Sequence, residues 1–459
     1  MRAIRFTSIG LLGILLLCSI HTVASAADSI DAIDDLELDS GLDLDMPVLE
    51  DSMNDVKIGK PAQRSTGAKK HVRLSFAYQL GSQFDDLSEI VSNRLDTRAR
   101  WESLFGEHYY ASLDAKLILR SWKDQQLEAG KDVSIEARAR EAALQASYGA
   151  FSIKAGYQVS IWGEMDSARI TDVLSPWDYS EFAFTSPEDA RVGQPSILLD
   201  GFFANSKLGI VFTPLPLVNR YPSGDASGLL SYILGTDQFV IKEYAPEFGS
   251  DYELGIRFKH TLGSGDIAFY GARVISDDPL FELDPDAAGP DPVFDIRYPE
   301  YELLGFTANY AQGNFLWKTE LAFKNNLYFP SQTSIIRDTM EVAAGLDYSA
   351  NGAYSLTLEL QNQRILPGEG ALVGLKTDNS QAMLRWSKNF FHETLSAVYF
   401  ASYQIQYGDT THSTALQYAV SDFWRVDLNF TVFDVKNQDS PQKFIDDWDQ
   451  VSIRATLEI

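Results

Sequence analysis

The chain is 459 residues long and carries 64 acidic against 38 basic side chains, a formal net charge of -26. That balance speaks against a nucleic-acid partner, because phosphates are bound by basic surfaces. A mean hydropathy of -0.15 excludes a bundle of membrane helices, yet it is also the average that strands alternating apolar and polar residues return.

Residues 1–26 have the pattern of an export signal. Arg2 and Arg5 supply the positive start, Leu11 to Ile20 the apolar core, and Ala24-Ser25-Ala26 a small-residue cleavage site, so the mature chain is expected to begin at Ala27. The core is shorter than the roughly 20 residues of a spanning helix. Leu15-Leu16-Leu17-Cys18 resembles a lipoprotein box, but the small residues expected before the cysteine are missing, and a plain signal is the preferred reading. Cys18 is the only cysteine, so the mature chain has no disulfide, zinc-thiolate or iron–sulfur chemistry, and no cofactor is expected.

Residues 27–70 form an acidic arm in which Asp and Glu alternate with Ile, Leu and Val, as in Asp34-Asp35-Leu36-Glu37-Leu38-Asp39. The favoured reading is a solvated, disordered periplasmic tail. The sharper one is a segment whose leucines fold against a partner, such as an inner-membrane pump.

From residue 71 to 459 a period of two takes over. Val72, Leu74, Phe76, Tyr78 and Leu80 share one face, and Arg73, Ser75, Ala77 and Gln79 the other. The same dyad recurs around Leu95–Trp101, Tyr109–Arg120 and Phe151–Ile161, then through Tyr252–Phe258, Phe315–Phe323 and Tyr354–Leu360. It ends with Leu395–Tyr407, Val426–Val432 and the last nine residues, Val451 to Ile459. Runs of about ten residues suit a tilted strand crossing hydrocarbon, and charges on the polar face suit a wet lumen. These features predict an all-β fold, a transmembrane antiparallel β-barrel in an outer membrane. About seventeen runs can be counted; an even number between 14 and 18 is expected, with 16 preferred. Residues 133–148 are ambiguous, because their alternation slips near Glu141.

Short turns such as Gly263-Ser264-Gly265-Asp266, Ala311-Gln312-Gly313-Asn314 and Ala350-Asn351-Gly352-Ala353 suit tight periplasmic hairpins. The connections near 163–200, 214–250, 276–300, 326–338 and 365–378 are long and are expected outside the cell or in the lumen. The first of them is the most specific. A strand is expected to end at Trp162-Gly163-Glu164, followed by Asp172, Val173 and the turn Pro176-Trp177-Asp178-Tyr179. Ile170, Leu174, Phe182 and Phe184 add to its apolar content, and an apolar loop needs a surface to cover. Trp162, Gly163, Glu164, Asp172, Pro176, Trp177 and Asp178 are therefore candidates for a constriction or ligand loop folded inward; packing on the outer rim is the rival.

Gly156-x-Gln158-x-x-x-Trp162-Gly163-Glu164 followed by Asp172-Val173-x-x-Pro176-x-Asp178 resembles the hallmark of an uncharacterised family of Gram-negative outer-membrane proteins classed with the porins, distantly similar to the alginate-export barrels. The match is sharp over roughly 25 residues. Relatives commonly carry Arg where this chain has Tyr157, and many outer-membrane chains end in Phe where this one ends in Ile459. The resemblance implies passage or export of a small or amphipathic solute, in series with an inner-membrane pump in some cases.

Arg73, Arg94, Arg98, Arg100, Lys116, Arg120 and Lys154 fall on lumen positions of the first strands. Such a ladder can concentrate anions; pairing with Asp96, Glu102 and Asp114 is the favoured alternative. Asp277, Asp278, Asp284, Asp286 and Asp291 lack EF-hand spacing, and Pro279, Pro285, Pro290 and Pro292 suggest a rigid polar loop, so a calcium site is the minority reading. His71, His108, His260, His392 and His412 are scattered, and neither HExxH nor Gly-x-Ser-x-Gly occurs. The expectation is a monomeric or trimeric barrel acting as a conduit and not as an enzyme, with a non-conducting docking barrel and a barrel hydrolase as rivals.

Overall fold

Alternation along the chain becomes strands because each run can satisfy its backbone only against a neighbour, and the two outermost runs can satisfy each other only by closing a ring. The computed structural model describes residues 70–459 apart from 129, 181–189, 222–239, 285, 288, 290, 330–334, 351–352, 370–371, 373–375, 438–439 and 441. The signal and nearly all of the acidic arm, as well as Phe182, Phe184, Pro285 and Pro290, lie outside the described residues.

The wall begins with β1 (Lys70–Gln83), β2 (Ile90–Phe105), β3 (Tyr109–Ser121) and β4 (Val133–Tyr148). It continues with β5 (Phe151–Gln158), β6 (Gln194–Phe203) and β7 (Ser206–Thr213). β8 (Val240–Tyr244) leaves the wall, which resumes with β9 (Glu253–Leu262) and β10 (Gly265–Ile275). β11 (Leu280–Leu283) and β12 (Val293–Arg297) again stand apart; with β8 they form a separate sheet, β12 antiparallel to β11 and parallel to β8. The wall then runs through β13 (Glu300–Gln312), β14 (Phe315–Phe329), β15 (Ile335–Ser349) and β16 (Ser355–Ile365). It ends with β17 (Asp378–Phe390), β18 (Leu395–Gln404), β19 (Asp409–Ala419), β20 (Trp424–Asp434) and β21 (Gln450–Glu458). β21 pairs with β1, Leu457 opposite Phe76, so 18 antiparallel strands close on themselves.

The preferred count of 16 is corrected to 18, at the top of the expected range. One cause is residues 133–148, which form a full strand. Asp114 faces Glu141 whereas Ala115 faces Ala139, so Arg140 is an extra, bulged residue that inverts the alternation without breaking the ladder. The strand expected to reach Trp162 stops at Gln158 instead, where the chain turns inward. β1 begins at Lys70, one residue before the period of two was expected to start.

Turns at 106–108, 149–150, 204–205, 263–264, 313–314, 391–394 and 420–423 lie at the end where β1 starts and β21 stops; the longer connections leave from the other end. Outward positions are apolar and bare: Leu144, Leu304 and Phe151 are 67%, 66% and 63% exposed. Inward positions such as Gln79, Arg94, Asp96 and Arg98 are buried although polar. An apolar belt around a polar interior is a membrane barrel, and barrels of this type occupy an outer membrane.

The seam is closed by charge as well as by backbone. Asp96 of β2 takes Arg94 at 3.4 Å, Lys116 of β3 at 3.3 Å and Arg454 of β21 at 2.7 Å. Gln79 of β1 accepts from Arg94 and from Arg454. Stripping one partner from a buried ion cluster costs about 3–5 kcal/mol. Asp96→Asn is therefore expected to lower the temperature at which the folded barrel melts in detergent, followed by circular dichroism, and Asp96→Asn with Arg94→Met to recover part of the loss. An unchanged melting temperature in the single variant would remove the seam from the account.

Candidate functional site

The chain after Gln158, through Ser180, fills part of the lumen, and the reason begins at Gly156. This residue has φ of +143°, and a Cβ there would stand 2.3 Å from the carbonyl oxygen of Ala142, beside the β4 bulge. Only glycine can turn the chain that close to the neighbouring strand. Gln158, fully buried, then donates to the Ser196 carbonyl at 3.0 Å, and Ser160 N donates to Ser175 Oγ at 2.8 Å in place of a ladder partner.

Residues 164–171 have no regular structure, so their N–H groups need acceptors inside the barrel. Two wall carboxylates provide them. Glu320 of β14 receives Glu164 N, Met165 N and Thr171 N at 2.5, 2.9 and 3.1 Å, and Thr171 Oγ1 at 2.9 Å. Glu359 of β16 receives Asp166 N, Ser167 N and Ala168 N at 2.8, 2.9 and 3.0 Å. Lys318 of β14 offsets the added charge, lying 2.7 Å from Asp166, 2.9 Å from Asp347 and 3.6 Å from Glu359.

The apolar side chains of this loop press onto the wall. Trp162, Ala168, Ile170, Val173 and Leu174 form one buried cluster with Val211, Tyr270, Val274, Leu303, Met383 and Phe400. Glycines in the wall make the room: a Cβ on Gly255 would meet the Trp162 ring at 2.5 Å, one on Gly305 the Thr171 methyl at 2.9 Å, and one on Gly345 the Met165 sulfur at 2.9 Å.

The seven loop candidates come together here. Trp162 packs 5.1 Å from Tyr270, and its N–H donates to Asp172 at 3.0 Å. Gly163, at φ +97°, passes so near Glu320 that a Cβ would sit 2.7 Å from its Oε1. Glu164 accepts from Asn309 at 2.7 Å. Asp172 pairs with Arg191 and lies 3.9 Å from Arg169, and both guanidinium groups stand over the Trp177 ring, at 4.5 and 4.1 Å. Pro176 accepts from Val192 N at 2.8 Å, and Asp178 pairs with Arg138 at 2.6 Å and Arg220 at 3.6 Å.

The lumen cations divide. Arg98 makes a two-pronged pair with Asp114 at 2.7 and 2.6 Å, and Arg100 approaches the same carboxylate at 3.9 Å. Arg94 and Lys116 share Asp96; Arg120 pairs with Glu136 at 3.0 Å and Asp124 at 3.6 Å, and Lys154 with Glu141 at 2.8 Å. Arg73 stands apart, exposed near the start of β1. Between β2–β4 and the loop lies a small pocket lined by Arg98, Lys116, Arg138, Arg140, Arg191 and Arg220 against Asp114 and Asp178. Cations outnumber acids there, so an anion would be attracted.

On the far side of the loop a larger cavity of about 180 Å³ opens under the 276–299 connection. Asp277 and Asp278 line it. Burial pushes the Asp277 carboxyl well up, and repulsion from Glu253 and Asp278 adds to this. Burial also raises Asp278, against Arg169 and hydrogen bonds from Asn219 and Tyr221. Asp284, in the same connection, is lowered by its hydrogen bond from Lys242. Glu320, Glu359, the wall glycines and this cavity carry no signature in the sequence. Each is one member of an ordinary strand face, and nothing local marks it.

No family model matches the chain, and no curated protein is similar to it. The resemblance to the porin-classed family therefore rests on Gly156 to Asp178. Among solved structures, OccAB4 of Acinetobacter baumannii matches over 87% of this chain and 99% of its own, with a TM-score of 0.48 and 11% identity. The outer membrane protein OpdK of Pseudomonas aeruginosa matches over 86% and 98%, at 0.48 and 9%. OmpF of Salmonella typhi, solved with daunomycin, matches over 86% and 98%, at 0.43 and 9%.

Hydrogen bonds to charged groups are worth about 1.5–3 kcal/mol each, so Glu320→Ala with Glu359→Ala should free the loop while the barrel still closes. Protease added to the folded protein is expected to cut within 164–180 in this variant and in Gly255→Leu, but not in the parent. Equal resistance in all three would show that the carboxylates and the glycine niche do not hold it.

Proposed function

We propose that this outer-membrane barrel is a conduit for small polar solutes, with residues 159–180 as its constriction. The observation that carries the reading is the inward segment held on Glu320 and Glu359, with a small pocket between it and the basic wall of β2–β4. A loop secured by buried carboxylates narrows the lumen at a fixed place, and a cation-rich border there favours anions in the ion current.

Purified protein in planar bilayers is expected to give discrete conductance steps. Deleting 164–190 should enlarge them, and a folded but silent barrel would favour the docking alternative. Lys116→Met with Arg140→Met should cut the anion-over-cation permeability ratio by about twofold, read from reversal potentials in a salt gradient. An unchanged ratio would place the current elsewhere in the lumen.

A further inference from the structure

The cavity beneath the 276–299 connection is walled on one side by amides. Gln361 of β16, Asn379 and Gln381 of β17 and Gln404 of β18 all line it. Gln381 is only 1% exposed. Its Oε1 accepts from Gln361 Nε2 at 2.7 Å, while its own Nε2 has no partner among the described residues. Exchanging the ends of both amides would only turn that free donor into a free acceptor. Two residues along the same face, Asn379 uses Nδ2 on the Lys376 carbonyl and leaves Oδ1 without a partner among the described residues. A donor and an acceptor thus stand open on one face of a strand, on residues whose backbones are about 6.6 Å apart. A buried polar atom left unpaired costs about 1–3 kcal/mol, which a visiting hydroxyl can relieve.

We propose that this cavity is a binding site for an uncharged polyhydroxylated solute of monosaccharide size. The inference rests on the conduit reading and names the class of solute that pauses at its outer mouth. Hydroxyl groups donate and accept at once, as the open amide pair requires. Tyr301 and Tyr328 line the same space and supply apolar surface for the C–H side of a sugar ring. Four carboxylates, Asp172, Asp277, Asp278 and Glu341, face two cations, Arg169 and Lys324, which disfavours an anion. A cation gains little either, because most of these acids are engaged. Glu341 holds Lys324 at 2.7 Å, Asp172 holds Arg191, and Asp278 accepts from Asn219 and Tyr221. Burial keeps Asp277 toward its neutral form, in which it too can donate to a hydroxyl. The volume of about 180 Å³ is below the roughly 300–1,000 Å³ of pockets for drug-sized ligands, so an oligosaccharide would not fit inside.

The test is titration calorimetry on the full-length protein in detergent with glucose, galactose, xylose and mannitol, and with arginine and glutarate as charged probes. At least one neutral probe is expected to bind, with both charged ones weaker, and Gln381→Leu and Asn379→Leu are each expected to weaken it tenfold or more. Asn379 lies at the strand end, so its variant remains informative if Gln381→Leu fails to fold. Silence with all four neutral probes, stronger binding of arginine or glutarate, or sugar binding indifferent to both substitutions would each overturn the proposal. A barrel that binds a sugar in this way yet never conducts would leave the site standing and remove the conduit.

Discussion

Six peptide N–H groups of an irregular segment end on two carboxylates that the wall projects inward, Glu320 and Glu359. Backbone without a ladder can persist within a membrane barrel only where something else accepts its hydrogen bonds. Here the acceptors are charged and fixed on adjacent parts of the sheet, so the segment takes one course and not an ensemble of them. Lys318 keeps the arrangement from accumulating negative charge. The position of Trp162, the niche at Gly255 and the separation of the lumen into two spaces all follow from that anchoring.

The two spaces have different chemistry because the loop faces them with different residues. Arg191 lines the pocket beside the basic wall, whereas Arg169 and Asp172 line the cavity on the other side. The Asp172–Arg191 pair therefore runs through the loop from one space to the other. The motif residues serve this geometry: Gly156 and Gly163 permit close approach, Gln158 and Asp172 satisfy backbone groups, and Trp162 fills the wall.

The faces of the strands were legible residue by residue. Val72, Leu74, Phe76 and Tyr78 point outward as the alternation requires, and Gln79, Arg94, Asp96 and Arg98 point inward. The apolar content of residues 162–179 also said that this loop had something to cover. Strand number was harder to read, because one bulged residue, Arg140, makes a sixteen-residue strand resemble a helical turn. β8, β11 and β12 are only five, four and five residues long, and the 214–250 and 276–300 connections hid them.

By itself the sequence determined the class of fold, the lipid side of each ribbon and the end at which the long connections lie. Those properties follow from a local period of two and from turn chemistry, which neighbouring residues encode. Only the tertiary structure decided what holds the loop and where the open amides meet. Glu320 reaches a backbone nitrogen 156 residues earlier in the chain, and Gln361 reaches Gln381 across a strand pair. Contacts of that kind exist once the ring has closed, and the physical reason is simple: a carboxylate on a lumen face has the same pattern whether it meets water or a peptide.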